Sequence, residues 1–279
     1  MIAASSLFAR DLQVALLASG SKGNCTWIGD GRAGVLIDCG ISARQVLARL
    51  DQLGMADAPI DAVLITHEHS DHVGAARVLC DKLQKRNGRA VPFYMTRGTA
   101  DALRPEVRPS ALETVEPGKS FRVRHLELDP FSVPHDTQDP VGWRVGSGGT
   151  WAGVVTDLGR STALVQAKLS SLAIAVLEFN HDIELLLAGS YPWALKQRIR
   201  SSHGHLSNEQ GAALLGAAVQ GQLRHVLLGH LSAENNSPER AMAAAAAALA
   251  SVGATGDVQV QIGWQDRPSP PATVRVHDW

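Results

Sequence analysis

His67-Glu68-His69-Ser70-Asp71-His72 places three imidazoles and the Asp71 carboxylate within six consecutive residues, directly after the apolar run Ala62 to Ile65. A regular helix or strand would scatter these side chains around its axis or across its two faces. In a turn leaving a strand, His67 and His69 can reach one cation while Asp71 and His72 reach a second one nearby. Imidazole and carboxylate ligands suit Zn2+, and also Mn2+ or Fe2+. The bland alternative is a cluster of surface histidines, and the coincidence of so many ligand types at a strand end argues against it.

These side chains alone leave two cations short of ligands, so other residues must complete the set. His135 in Ser132-Val133-Pro134-His135-Asp136, Asp157 at the end of Val154-Val155-Thr156, and His230 at the end of Val226-Leu227-Leu228-Gly229 each follow an apolar run. Taken singly, each is more often a turn or core-capping residue. Together they complete the ligand sets, and Asp157 offers two oxygens with which to bridge.

The rest of the chain supplies a frame. Val14 to Leu17, Val35 to Ile37, Ala62 to Ile65, Val154 to Thr156, Leu172 to Leu177, Val226 to Leu228 and Val258 to Ile262 read as strands, most of them buried. Between them, Ser42-Ala43-Arg44-Gln45 and Ser207-Asn208-Glu209-Gln210 fit capping boxes, and Ser237-Pro238-Glu239 puts proline in the first turn of a helix. Gly54 is placed to close the first of these helices. With no linker or repeat in view, the order suits a single domain over residues 1–279, an α/β protein of two sheets between helices, αββα.

Hydrophobic residues make up 45% of the 279 residues and charged ones 19%, ordinary for a chain with a large core. The formal charge of −1 excludes a global positive field that would gather nucleic acid or an anionic membrane, so a polyanion must be held locally. Three cysteines, Cys25, Cys39 and Cys80, are too few for a disulfide framework and point to the cytoplasm. No signal peptide or membrane-spanning run is visible, and Ala241 to Ala250 is too short to span. Lys82, Lys85, Arg86 and Arg89 read as the solvated end of a helix rather than a phosphate site.

The His-x-His-x-Asp-His run, the upstream Ile37-Asp38-Cys39-Gly40, and His135, Asp157 and His230 resemble the ordered motifs of metallo-β-lactamase-fold hydrolases. That resemblance implies that His67, His69 and His135 hold one metal, that Asp71, His72 and His230 hold the other, and that Asp157 bridges. Asp38 would orient a ligand histidine without touching metal. Longer stretches resemble the YycJ (WalJ) subfamily: Ser19-Gly20-Ser21-Lys22-Gly23-Asn24-Cys25, Leu177-Glu178-Phe179-Asn180-His181-Asp182, Tyr191-Pro192-Trp193-Ala194-Leu195-Lys196-Gln197-Arg198, Gly204-His205-Leu206-Ser207-Asn208-Glu209 and His230-Leu231-Ser232-Ala233-Glu234-Asn235-Asn236. Lys22 departs from the small residue expected there. The subfamily implies 5′ to 3′ exonuclease activity on DNA, with two divalent ions, Zn2+ or Mn2+, acidifying a shared water as nucleophile.

A phosphodiester leaving group needs a proton. His205 is the candidate acid, with Glu178 to orient it; related RNA-processing members of the fold use a comparable pair. A purely structural hydrogen bond between the two is an equal reading. Asp71 could position the water. His181 is expected to support the site without binding metal. Ser21, Asn24, Asn180, Lys196 and Arg198 are candidate substrate contacts; the first two lie in a glycine-rich turn that is equally well a phosphate cradle built of backbone N–H groups or a plain turn, and for Lys196 and Arg198 a solvated helix face is the stronger reading. A small-molecule hydrolase of the same fold, acting on a thioester, lactone or cyclic phosphodiester, would use the same ions but would not require Glu178 and His205. A structural metal protein is a third reading, opposed by the complete ligand set, since structural zinc is normally closed by four ligands.

Overall fold

The helix starts form as the sequence reads. In a computed structural model describing residues 10–219 and 221–276, Ser42 Oγ accepts the Gln45 N–H while the Gln45 side chain accepts the Ser42 N–H. Ser207 and Gln210 repeat this capping box, Ser237 Oγ caps a helix whose first residue is Pro238, and Gly54 takes a left-handed φ of 72° just past the first helix.

In chain order the elements are β1 (Arg10–Ala18), β2 (Cys25–Gly29), β3 (Gly34–Ile37), α1 (Ala43–Gln52), β4 (Ala62–Leu64), α2 (Ser70–Val73), α3 (Ala76–Asn87), β5 (Phe93–Thr96), α4 (Arg97–Ala102) and β6 (Leu112–Val115). The second half runs β7 (Phe121–Val123), β8 (Leu126–Ser132), β9 (Val141–Ser147), β10 (Thr150–Val155), α5 (Ala163–Leu169), β11 (Ile174–Glu178), α6 (Ile183–Ala188), α7 (Trp193–Ile199), α8 (Asn208–Ala218), β12 (His225–Gly229), α9 (Pro238–Ser251), β13 (Gln259–Ile262) and β14 (Ala272–Val276).

Two seven-stranded sheets result, in the orders β14-β1-β2-β3-β4-β5-β6 and β13-β12-β11-β10-β9-β8-β7. Within the first, β3 through β6 run parallel; within the second, β10 through β13 do. Leu12, Val14, Ile28 and Leu64 of one sheet pack against Leu128, Trp143, Val145 and Ile174 of the other in an apolar inter-sheet core. Helices α1 and α3 cover the outer face of the first sheet, and α5, α8 and α9 that of the second. The four layers are those of an αββα sandwich. Trp143 is fully buried and donates its Nε1–H to the Ile65 carbonyl at 3.1 Å, linking the two sheets. Its loss to alanine should cost about 3–5 kcal/mol.

Several strand boundaries differ from the sequence reading, and the strand read from Val14 begins at Arg10. Leu172 and Ala173 belong to the connection, and the strand begins at Ile174. The strand read as Val154 to Thr156 begins at Thr150, because Gly148 and Gly149, both with positive φ, form a tight hairpin that extends it along β9. The five strands β5 to β9 fall between the runs read above. No helix among the described residues is long and apolar enough to cross a membrane.

Candidate metal centre and cleft

The carboxyl ends of β3, β4, β10, β11 and β12 all open on one edge of the sandwich, and each delivers a polar side chain there: Asp38, His67, Asp157, Glu178 and His230. This is where parallel strands place ligands, since their carboxyl ends lead into irregular backbone free to aim side chains. The turn after β4 carries His67 and His69 and then α2, whose short turn brings Asp71 and His72 to the same point.

Holding these groups strains the backbone. Asp38, Asp157 and His230 have φ of 61°, 57° and 56°. The left-handed region costs an L-residue roughly 1–2 kcal/mol, and such residues persist where the surroundings over-determine them. Gly40 shows how tight the packing is, since a Cβ there would lie 1.6 Å from the Asp71 carbonyl oxygen.

All seven expected ligands converge. His67, His69 and His135 present ligand atoms within 4.8 Å of one another, as do Asp71, His72 and His230, and as do His67, His72 and Asp157. Asp157 lies between the groups, with Oδ2 3.3 Å from His72 Nε2 and Oδ1 3.6 Å from His230 Nε2 and 3.8 Å from His135 Nε2.

The far sides of the rings are anchored. Nδ1 of His72 meets Asp38 Oδ2 at 2.8 Å, Nδ1 of His67 meets Thr66 Oγ1 at 2.9 Å, and Nδ1 of His135 faces the Gly204 carbonyl at 3.1 Å. Nδ1 of His230 lies 3.0 Å from Glu178 Oε1. These contacts turn Nε2 of each ring toward the centre, where that of His72 also lies 3.1 Å from the Asn24 amide nitrogen. There His67 Nε2, His230 Nε2 and Asp157 Oδ2 are buried without a hydrogen-bond partner. Orphaned polar atoms are costly in an interior, and converging imidazole and carboxylate atoms without protein partners fit divalent cations.

Electrostatics point the same way. Burial, with His72, His135 and His69 close by, pushes the His67 pKa well below its ordinary value, so its ring is an unprotonated donor at neutral pH. Burial likewise lowers His135. Burial also disfavours charge on His230, yet Asp157, Asp71 and Glu178 outweigh it and push the pKa up to about 10. The carboxylates that hold a proton there are suited to holding cations in its place.

Beside the cluster, Glu178 is fully buried and saturated with hydrogen bonds. Oε1 meets His205 Nδ1 at 2.8 Å and His230 Nδ1 at 3.0 Å, while Oε2 accepts N–H bonds from Leu158 at 2.8 Å and Leu206 at 3.2 Å. Burial opposes its ionisation, but the His205 charge and the histidine hydrogen bonds hold its carboxyl well below the usual range. With Nδ1 taken, His205 has Nε2 left for the cleft that it lines together with His69, Asp71, Asp157 and His230.

The expected substrate contacts divide. Ser21, Asn180 and Arg198 line the cleft. Asn24 does not; it is buried, with its amide nitrogen 3.1 Å from His72 Nε2 and 3.4 Å from Asp71 Oδ2, so it buttresses the ligand turn. The glycine-rich turn is no phosphate cradle, because the N–H groups of Gly20, Lys22, Gly23 and Asn24 are spent on Asn24 Oδ1, Gln265 Oε1, Gly20 O and Asp71 O. Lys196 is also withdrawn from solvent, since its Nζ donates to the Leu187 and Gly189 carbonyls at 2.7 and 2.6 Å and caps the end of α6. His181 is buried; its main chain bridges to Ser207 and its Nδ1 has no partner, so it supports the His205 segment rather than a ligand ring. Arg86 and Arg89, at the end of α3, are tied to the Ala56 and Ala58 carbonyls and to Asp61.

Thr66, Ser19 and Gly204 escaped the sequence reading. Thr66 Oγ1 contacts both Asp38 oxygens and His67, and Ser19 Oγ accepts the His230 N–H at 2.7 Å. Thr66 adjoins His67, while Ser19 and Gly204 stand inside stretches quoted above, and that placement was the available signal.

Residues 34–230, more than half of the chain, match the family described as the beta-lactamase superfamily domain. The chain is 33% identical over 231 residues to the exodeoxyribonuclease WalJ of Streptococcus pneumoniae, covering 81% of this chain and 84% of that protein. It is 30% identical over 235 residues to the exodeoxyribonuclease YycJ of Bacillus anthracis, covering 82% and 86%. Among solved structures, the metallo-beta-lactamase fold protein YhfI from Bacillus subtilis shares the fold with a TM-score of 0.68 at 16% identity, over 93% of this chain and 99% of that one. The chain therefore belongs to the beta-lactamase superfamily and, within it, to the WalJ/YycJ family of metal-dependent hydrolases.

Proposed function

We propose that this protein is a metal-dependent nuclease that removes nucleotides from DNA ends in the 5′ to 3′ direction, with two divalent cations, Zn2+ or Mn2+, at the histidine–aspartate cluster. The observation that carries the reading is His205 held at 2.8 Å on the buried Glu178 carboxylate beside the seven-ligand cluster, in a chain whose relatives bear the name exodeoxyribonuclease.

His67, His69 and His135 would hold one cation, Asp71, His72 and His230 the other, with Asp157 shared. Bound there, the cations supply an acidified water as nucleophile and neutralise charge developing on a phosphodiester. Asp71 Oδ2 lies 3.4 Å from His72 Nε2 and 3.7 Å from His230 Nε2, which leaves Oδ1 to orient the attacking water. His205, its Nδ1–H held by Glu178, carries the transferable proton on Nε2 and delivers it to the leaving alkoxide. A simple thioesterase would need no such acid. Cys25, Cys39 and Cys80 are free, buried thiols, which supports a cytoplasmic workplace.

The test is a panel of end-labelled single- and double-stranded DNA and RNA with the Mn2+- and the Zn2+-loaded protein, run beside a thioester. Stepwise loss of nucleotides from DNA 5′ ends is expected. Intact nucleic acids together with thioester hydrolysis would overturn the nuclease reading in favour of the small-molecule one.

A further inference from the structure

The cleft, which encloses about 240 Å3, has two unlike walls. One carries Asp71, Asp157, His205 and His230. The other comes from the segment leading into and through α7. Leu195, Arg198 and Ile199 share one face of that helix by their i, i+3 and i+4 spacing, and Tyr191 precedes them. Lys196 turns to another face, pinned against α6, and Trp193 turns to solvent, 61% exposed.

A wall of one aromatic and two aliphatic side chains is ill suited to a phosphate or a carboxylate. It suits the flat, weakly polar face of a nucleobase, which any base can present. Arg198 sits at the edge of this wall, with Nε on Asp136 Oδ2 at 2.5 Å. That anchor leaves the terminal nitrogens of the guanidinium fork for a second acceptor of the same kind, an anionic oxygen. The ligand cluster, the Arg198 guanidinium and an apolar wall thus line one small space, a mixture of surfaces suited to the phosphate and the base of a nucleotide.

Resting on the nuclease reading, we propose that Tyr191, Leu195 and Ile199 form a nucleobase wall that seats the terminal base, with Arg198 on the adjoining phosphate. A paired base has its faces covered by stacking neighbours and must leave the helix to reach such a wall. The preferred substrate is therefore an unpaired DNA end, and the enzyme should discriminate bases from their absence.

The test compares a single-stranded oligonucleotide with one whose terminal residues are abasic, for the Mn2+-loaded wild type and for Tyr191→Ala, Tyr191→Phe and Trp193→Ala. The wild type should favour the base-bearing end by on the order of tenfold in kcat/KM. Tyr191→Ala should raise KM by a similar factor and lose that preference, Tyr191→Phe should keep both, and Trp193→Ala should match the wild type. Equal wild-type rates on base-bearing and abasic ends would overturn the proposal even if the Tyr191→Ala protein failed to fold. Wild-type protein inert on all DNA would overturn the nuclease reading and this wall with it, whereas active wild type without base preference removes the wall alone.

Discussion

The two ends of the sandwich use the same residue types to opposite effect. At the end away from the cleft, Asp30 and Asp61 are buried aspartates near strand ends, just as Asp38 and Asp157 are at the cleft. Asp61 accepts from Arg89 at 2.6 Å, Arg124 at 3.2 Å and the Gly34 N–H at 3.3 Å. Asp30 accepts from His125, Ser147 and the N–H groups of Arg32 and Ala33. Arg124 and His125 come from the turn between β7 and β8, so both carboxylates tie one sheet to the other. At the cleft, by contrast, Asp157 Oδ2, His67 Nε2 and His230 Nε2 are left without partners. Satisfied acceptors staple the structure, whereas orphaned imidazole and carboxylate atoms that converge on one point, as these do, mark where something other than protein is meant to bind.

Substitutions at the two ends should separate cleanly. Asp157→Ala should lower kcat by about a thousandfold or more and reduce metal content, because a carboxylate placed between the two ligand groups would serve both proposed cations. Near-normal turnover with full metal content would erase the distinction between the ends. His205→Ala should keep the bound metal, measured by elemental analysis, yet slow DNA cleavage by roughly 10²–10⁴-fold. Metal loss in that variant would instead make His205 a structural partner of Glu178. Asp38→Asn, which leaves His72 Nδ1 with an amide in place of its carboxylate partner, should weaken metal affinity by about 10–100-fold in a chelator competition.

At the far end the readout is stability, not turnover. Asp61→Ala should cost about 1–3 kcal/mol in denaturant unfolding, while kcat on DNA stays at the wild-type level. Asp30 adds a pH signature. Burial works to raise its pKa, but hydrogen bonds from His125, Ser147, Ala33 and Arg32 outweigh burial and hold it below the ordinary value. A depressed native pKa contributes stability that is present above the unfolded value of roughly 4 and is lost as pH falls through the native value. Asp30→Asn should flatten the acid limb of the stability curve, and an unchanged limb would show that the staple bears no such load.

Most of the centre was legible because metal chemistry restricts residue type. Few side chains ligate divalent ions, so a run such as 67–72 has little other explanation, and His135, Asp157 and His230 stood out as strand-end partners. Helix starts were legible for a similar reason, since capping boxes are local. Asn24 and Lys196 were misread because a side chain's chemistry does not reveal its direction. Lys196 has the composition of a phosphate contact, but it is buried and its ammonium meets helix-end carbonyls. Thr66 was passed over as a positioning group despite adjoining His67, since a threonine ending an apolar run reads as one more strand residue. The strands β5 to β9 lay in sequence whose alternation is weak or broken by turns.

The close approach of Gly40 to Asp71 belongs to a wider pattern of main-chain stitching. Asn24 N–H reaches the Asp71 carbonyl, Gly40 N–H the Asn24 carbonyl, Cys39 N–H the His72 carbonyl and Ala75 N–H the Cys39 carbonyl, at 2.7 to 3.0 Å. Segments far apart in the chain are thereby woven into the ligand turn by backbone alone. Small zinc modules take their shape only when the ion arrives. Here the turn is part of the masonry of the first sheet, so its ligand groups are held in register by main-chain bonds in addition to whatever a cation would contribute.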